Sequence, residues 1–273
     1  MPKLHDALLV SIASLAKQRI PSSRLDAELL LAHVLGTSRS WLHAHGEEKL
    51  GREEVRKFES LIQRRLKREP VAYITGTKEF YCREFIVNPD VLIPRPETED
   101  LVELALQKGK VTIKVIDIGC GSGCIGITLK LERPEWTVSL SDVSKKALVV
   151  AKQNANNLMA TVELVQSNLL TSVPKGSTYD LIIANLPYVD TAWETSPETA
   201  HEPALALYAD QNGLALIFQL IKQSSVALRR FGYLLLEADP EQHHAIIEYA
   251  SKYDFVHKEI RGYALSLMKQ PQA

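Results

Sequence analysis

Up to about Thr75, apolar side chains recur at intervals of three and four residues, the period of an amphipathic helix. The segments DALLVSIASLA, SSRLDAELLLAHVLG and REEVRKFESLIQRRLKRE each carry it, with Ser22 or Ser23 placed to cap the second and Gly36 to stop it. The third puts Val55, Phe58, Leu61, Ile62 and Leu66 on one stripe. Glu53 and Glu54 stand at its start and Arg64, Arg65, Lys67 and Arg68 at its end, where the helix dipole and solvation account for them. After Pro70 the texture changes to TKEFYCREFIVNPDVLIPRPETE, whose aromatic and β-branched residues, Asn-Pro-Asp turn and further prolines predict a strand pair serving as a bridge. The boundary falls near Gly76.

From Glu97 onward helical and strand patterns alternate. Helix ETEDLVELALQK leads to strand VTIKVIDIG, a helix from Ser122 to Leu131, strand TVSLSD, helix SKKALVVAKQNANNL and the strands VELVQSN and YDLIIANLPY. A long polar loop precedes helix GLALIFQLIKQSSVALRR, strand GYLLLEA, helix EQHHAIIEYASKY and a final strand pair, FVHKEI and YALSLMK. Nearly continuous apolar strands between amphipathic helices predict a mostly parallel sheet covered on both faces. Such sheets bind ligands at the carboxyl ends of their strands, beside the switch point.

Composition narrows the class. With 273 residues and 45% of them hydrophobic, the chain can bury the core of one large domain or of a large and a small one. No apolar run approaches the roughly 18 residues that a membrane span needs. The N-terminus MPKLHDALLVSIASL carries Asp6 and lacks a signal peptide's basic start and cleavage site, so the expected location is cytoplasmic. Cys82, Cys120 and Cys124 are too few for a disulfide scaffold, and Cys120 with Cys124 lacks the second pair of a structural zinc site, so buried reduced thiols and no metal are expected. A formal charge of −1 offers no global attraction to nucleic acid.

The first strand of the alternating region runs into DIGCGSGCIG, a glycine turn that opens a helix. Glycine lets the backbone turn sharply and approach a ligand closely. Read literally, Gly121, Gly123 and Gly126 satisfy the dinucleotide pattern G-x-G-x-x-G. The apolar strand ends at Ile118, however, so the turn is Gly119, Cys120, Gly121, Ser122 and Gly123 preceded by Asp117. Counted from Gly119, the third position falls on Cys124, and the pattern fails in the register that the strand imposes; Gly126 reads as a coincidence. DIGCGSG instead resembles the first motif of Rossmann-like S-adenosylmethionine-dependent methyltransferases.

Asp142 ends the next strand, where a carboxylate can accept from both ribose hydroxyls; capping the helix that follows is its structural alternative, a task Ser144 can perform as well. At QSNLL, Asn168 is placed to donate to an adenine ring and Leu169 to pack on its face. With these strands supplying a nucleoside pocket, ANLPY at the end of the fourth is where methyl group and acceptor would meet. Pro187 fixes its own φ and pushes Leu186 toward an extended conformation, so the Leu186 carbonyl can point outward, and Asn185 adds a second acceptor through Oδ1. Two acceptors side by side suit a planar NH₂ group, with Tyr188 covering its flat face. Asn185, Pro187 and Tyr188 are the candidate catalytic residues; the Leu186 side chain itself reads as replaceable.

PVAYITGTKEFYCREFIVNPDVLIPRPETE, DIGCGSGCIGI, the tetrapeptide and HEPALALYADQNGLALI together resemble the N5-glutamine methyltransferases that modify peptide chain release factors. The resemblance covers nearly the whole chain, and the first and last of these stretches are not shared by general amino methyltransferases. It implies a small helical substrate-recognition domain over residues 1–75, a β-hairpin linker over 76–96 and a Rossmann-like methyltransferase domain with a mostly parallel seven-stranded sheet over 97–273. It implies S-adenosylmethionine as cofactor, bound by Gly119, Cys120, Gly121, Ser122, Gly123, Asp142, Asn168, Leu169 and Asn185. The implied substrate is the glutamine of the Gly-Gly-Gln tip of class 1 release factors, held by Asn185, Leu186, Pro187 and Tyr188, with support from Arg95, Thr98 and Glu99. A monomer without direct need of nucleic acid is expected. Many members carry Pro where this chain has Leu186, and an acidic-aromatic pair in place of Asn168 and Leu169.

The nearest rival is another amino methyltransferase, acting on a ribosomal-protein glutamine or on adenine in DNA. The DNA reading lacks an added recognition domain and a basic excess. A non-catalytic module binding a release factor or the ribosome is opposed by the intact DIGCGSG and ANLPY, and a nicotinamide oxidoreductase by the glycine register. His201 and Glu202 read as structural residues of their loop.

Overall fold

The computed structural model describes residues 1–108, 111–173 and 178–271. Two compact units emerge, one formed by Met1–Thr77 with Ser196–His201, the other by Lys78–Thr195 with Glu202–Ala273. In the first, α1 (Leu4–Lys17), α2 (Ser23–Leu35), α3 (Arg39–Ala44), α4 (Arg52–Leu66) and α5 (Val71–Thr75) enclose a core built on Leu15, Leu30, Leu31, Phe58 and Ile62. Gly36 ends α2 at φ 63°, the left-handed conformation that glycine adopts without a Cβ penalty. The helices α3 and α5 are too short to show a period and were not legible as helices. The basic end of α4 is not a solvated tip either. Arg65 is 4% exposed and pairs with Asp26 at 2.7 Å and Glu198 at 2.8 Å, while Arg68 reaches the same Glu198 at 3.2 Å. A buried guanidinium keeps its charge, so it must be met by carboxylates.

Next along the chain are the hairpin strands β1 (Thr77–Phe80) and β2 (Arg83–Ile86), turned by Tyr81 and Cys82, both at positive φ. Cys82 is exposed there, contrary to the expectation of buried thiols; Cys120 and Cys124 are buried. Then come α6 (Glu99–Lys108), β3 (Lys114–Ile118), α7 (Cys124–Glu132), β4 (Thr137–Asp142), α8 (Lys145–Asn157), β5 (Glu163–Gln166) and β6 (Tyr179–Ala184). The chain continues through α9 (Ala215–Ala227), β7 (Leu228–Glu237), α10 (His243–Ser251), β8 (Phe255–Arg261) and β9 (Ala264–Lys269). Seven strands form one sheet in the order β5-β4-β3-β6-β7-β9-β8. The pairs among β3 to β7 are parallel, and β9 runs antiparallel to β7 and β8.

Central strands buried on both faces explain the continuous apolar runs: Val115 and Ile183 join one layer of core, Ile116 and Ile182 the other. The order reverses between β3 and β6, which is the switch point where the carboxyl ends part to leave a crevice. Register sharpens this. Ile118 pairs with Ala184 and Ala184 with Leu236, so the glycine turn, Asn185 and Glu237 emerge side by side from three neighbouring strands.

Candidate active site

At that edge lies a cavity of about 320 Å³ lined by the glycine turn, Asp142, Asn168, Leu169 and the Asn185–Leu186–Pro187 stretch. Gly119, Gly121 and Gly123 have φ of 69°, 52° and 80°. All three lie where a side chain is strained, which explains three glycines in five positions. At Gly121 a Cβ would meet no atom within 4 Å, so its bare backbone faces open cavity. Gly123 does not line the cavity; a Cβ there would press to 2.8 Å on Ile127. Asn154 of α8, 1% exposed and unmarked in the sequence reading, donates to the Ser122 carbonyl at 2.9 Å and exchanges hydrogen bonds with the backbone of Ile86. It clamps the turn to the hairpin.

Gly126 is no coincidence. A Cβ there would lie 2.1 Å from Leu140 Cδ2, so only glycine lets α7 pack this closely on β4. That packing purpose is independent of any pyrophosphate. The helix α7 starts at Gly123, which has no side chain to cap it, and Asp117 Oδ2 accepts from the Gly126 N–H at 2.9 Å instead. Asp117 is completely buried, and among the described residues its Oδ1 has no hydrogen-bond partner. Burial pushes its carboxyl up to about 7, against the Gly126 hydrogen bond and with the help of the Asp142 charge.

The folded chain therefore retains the Asp117 proton up to about pH 7, while the unfolded chain releases it near pH 4. Between these values the folded state binds the extra proton, so stability declines as pH rises, by about 4 kcal/mol in total. Urea unfolding of the cofactor-free Asp117→Asn variant is expected to lack that decline, the variant gaining on the wild type from pH 4 to pH 7. A constant offset across that range would contradict it.

Asp142, at the end of β4, accepts from Gly121 N–H at 2.9 Å through Oδ2 and from Ser144 N–H at 2.8 Å through Oδ1. Burial raises its pKa, opposed by those bonds. Each carboxylate oxygen keeps a further lone pair, enough for a pair of hydroxyls. Ser144 takes the helix cap, accepting from Ala147 N–H at 3.2 Å. Leu169, at φ 51°, is buried beside the cavity, whereas Asn168 is exposed at its rim. Cys120 and Cys124 are held protonated, burial being the main cause and Asp117 adding to it; Cys124 is pushed up to about 12.

The tetrapeptide divides its tasks. Asn185 Nδ2 donates to Thr98 Oγ1 at 3.1 Å. Among the described residues, no donor reaches Asn185 Oδ1 or the Leu186 carbonyl. The Leu186 side chain is not replaceable at will: it is 4% exposed, and its Cδ2 would lie 3.0 Å from a Cβ placed on Gly119. Leucine thus fills the space beneath the bare turn. Tyr188 does not line the cavity; its hydroxyl donates to Glu237 Oε1 at 3.2 Å, and its carbonyl accepts from Gln242 Nε2 at 2.8 Å. Burial first, and then Glu237, raise the Tyr188 pKa, so the phenol stays neutral.

Of the supporting residues, Thr98 touches Asn185, and Arg95 lines the cavity while pairing with buried Glu202 at 2.6 Å. Glu99 does not line it and accepts from the Tyr81 N–H in the hairpin turn. Glu202 also accepts from the Ile93 N–H, and His201 Nε2 contacts the Lys67 carbonyl. Sequence reasoning missed Glu237, Gln242 and Gly213. None of the three carried a local signal; Glu237 gains its place from the sheet register, which sets it beside Asn185.

A bare glycine backbone, a carboxylate with spare lone pairs and an apolar wall that includes Leu169 fit a nucleoside with a charged tail. The fold and site define a Rossmann-like, S-adenosylmethionine-dependent methyltransferase. Residues 98–204 match the Methyltransferase small domain and residues 6–76 the PrmC N-terminal domain. The chain is 42% identical over 242 residues to a release factor glutamine methyltransferase of Leptospira interrogans, covering 85% of this chain and 84% of that one. It is 39% identical to the enzyme of that name from Neisseria gonorrhoeae, over 82% of this chain and 83% of the relative. The chain belongs to the release factor glutamine methyltransferase family. In fold, it resembles a methyltransferase from Pyrococcus furiosus with a TM-score of 0.54 at 17% identity, over 71% of this chain and 92% of that one.

Proposed function

We propose that the chain transfers the methyl group of S-adenosylmethionine to the side-chain amide nitrogen of the glutamine in the Gly-Gly-Gln tip of class 1 release factors. The observation that carries this reading is the pair of free acceptors, Asn185 Oδ1 and the Leu186 carbonyl, at the edge of a cavity suited to the cofactor. Gly119, Cys120, Gly121, Ser122, Asp142, Asn168 and Leu169 would hold the cofactor, with Gly123 shaping the turn. When bound, the cofactor supplies a methyl group already activated by its sulfonium.

The chain's own task is positioning. An amide nitrogen is a poor nucleophile, because its lone pair is shared with the carbonyl. Accepting both of its N–H bonds draws electron density onto the nitrogen and fixes its direction, and orientation of this kind supplies roughly 7 to 11 kcal/mol. Pro187 sets the direction of the Leu186 carbonyl, and Tyr188, outside the cavity lining and anchored through its hydroxyl to Glu237, holds the end of the tetrapeptide in place. The methylated nitrogen is acidic and gives its proton to water, so no general base is required.

The helical unit would grip the release factor. A monomer in the cytoplasm, with no nucleic acid in the reaction, completes the reading; no described helix is long and apolar enough to cross a membrane. Incubation with methyl-labelled S-adenosylmethionine and a mixture of release factor, ribosomal proteins and DNA is expected to label the release factor alone. Label on ribosomal protein or DNA, with none on the release factor, would overturn the substrate assignment.

A further inference from the structure

Among the described residues, Arg95 is the one cationic side chain that lines the cavity. Prolines on either side stiffen its backbone, and Pro96 keeps it extended, at φ −100° and ψ 143°. Glu202 fixes its side chain. The Glu202 carboxylate, 2% exposed, accepts from Arg95 Nη2 at 2.6 Å through Oε1 and from the Ile93 N–H at 3.2 Å through Oε2. A guanidinium carries five N–H donors. Among the described residues, Glu202 is the sole partner of this one, so Nε and Nη1 are left without an acceptor.

An arginine held by one nitrogen, its planar fork otherwise free, recognises a carboxylate through paired hydrogen bonds. S-adenosylmethionine brings a carboxylate at its methionine end, and a carboxylate that leaves water for a cavity must be met by a cation or by several donors. The neutral amide of a glutamine makes no such demand. Position agrees. Asp142 ends β4 and Asn168 follows β5, on one side of the switch point. On the other side Thr98, whose N–H donates to the Arg95 carbonyl at 3.1 Å, contacts Asn185 at the end of β6. In the cofactor the sulfonium stands between ribose and amino-acid tail. With the ribose at Asp142 and the methyl group at Asn185, the tail runs toward Thr98 and Arg95. We propose that Arg95, held in place by Glu202, binds the α-carboxylate of S-adenosylmethionine.

The pairing makes the cavity selective for the cofactor's tail. A decarboxylated analogue has the same nucleoside and sulfur, so apolar walls and Asp142 cannot separate the two ligands. Arg95 can, because the analogue leaves its donors unmet, and sites built on a hydrogen bond reject the ligand that leaves it unmade. The inference rests on the cofactor half of the reading above and is independent of the glutamine.

The test is equilibrium binding of S-adenosylhomocysteine and of its decarboxylated counterpart to the full chain. The two ligands share every other group, so the ratio of their affinities isolates the carboxylate. The wild type is expected to prefer the carboxylated ligand by about tenfold or more, the worth of a charge-assisted hydrogen bond. Arg95→Met is expected to lose that preference and to bind the decarboxylated ligand as the wild type does. Because Arg95→Met leaves the Glu202 carboxylate buried and unpaired, the double variant Arg95→Met with Glu202→Gln, which can still accept from Ile93, is measured beside it and is expected to give the same ratio. A wild-type preference retained in the double variant overturns the proposal, and so does an equal loss of affinity for both ligands. A retained preference with a raised KM for release factor assigns Arg95 to the protein substrate instead. A wild type that binds S-adenosylhomocysteine without preference overturns the proposal alone, whereas one that binds neither ligand overturns the cofactor reading with it.

Discussion

The Asn185→Ala variant is expected to lose turnover by about two to three orders of magnitude, the range seen when one preorganised polar contact to a reacting group is removed. The loss should appear in kcat, with S-adenosylmethionine affinity kept within about tenfold. Asn185 sits where β6 emerges beside the glycine turn, and its Oδ1 is one of the two acceptors proposed for the reacting nitrogen. Alanine leaves the Leu186 carbonyl in place, so the amide still enters but is held by a single N–H. It can then rotate away from the line of attack. Asp142 and the bare Gly121 face lie on β4 and on the turn after β3, so the cofactor's side of the cavity should survive. Single-turnover rates and cofactor titrations check this; a tenfold or greater collapse of cofactor binding with normal kcat would contradict it.

Gly213→Ala is expected to lower stability by about 4 kcal/mol or more, roughly 10 °C in melting temperature, and to abolish activity well below that temperature. Gly213 has φ 80°, and a Cβ there would lie 1.9 Å from the Tyr188 carbonyl oxygen and 2.6 Å from Gln242 Nε2. The first contact is backbone and cannot swing aside, so the tetrapeptide must move or the loop must open. Gly36→Ala is the control. It has a comparable φ of 63° but no atom within 4 Å, so it should cost only about 1 kcal/mol, the conformational penalty alone. Equal losses in the two variants would show that the clash is absorbed and that Gly213 does not hold Tyr188.

What could be read in advance follows from locality. Strand β4 was legible residue for residue, because TVSLSD is buried on both faces and bounded by polar turns. The glycine turn and Asp142 were legible because turn chemistry is written in consecutive residues. Arg65 was not: its partners Asp26 and Glu198 are distant in sequence, so nothing nearby distinguishes it from a solvated arginine. Glu237 ends GYLLLEA as any strand might end, and acquires meaning only when the register sets it beside Asn185. The Leu186 side chain misled for the same reason, since what it packs against is the turn after a different strand. Gly126 was dismissed on motif spacing, although the constraint on it is the proximity of Leu140.

The most direct test is to identify the atom that receives the methyl group. Release factor treated with this protein and isotopically labelled S-adenosylmethionine is digested and mapped by tandem mass spectrometry. A single labelled methyl on the side-chain nitrogen of the Gly-Gly-Gln glutamine, formed about two to three orders of magnitude more slowly with Asn185→Ala, is the predicted result. A methyl on any other atom of the release factor, or an unmodified tip after prolonged incubation with active, cofactor-binding protein, would contradict it.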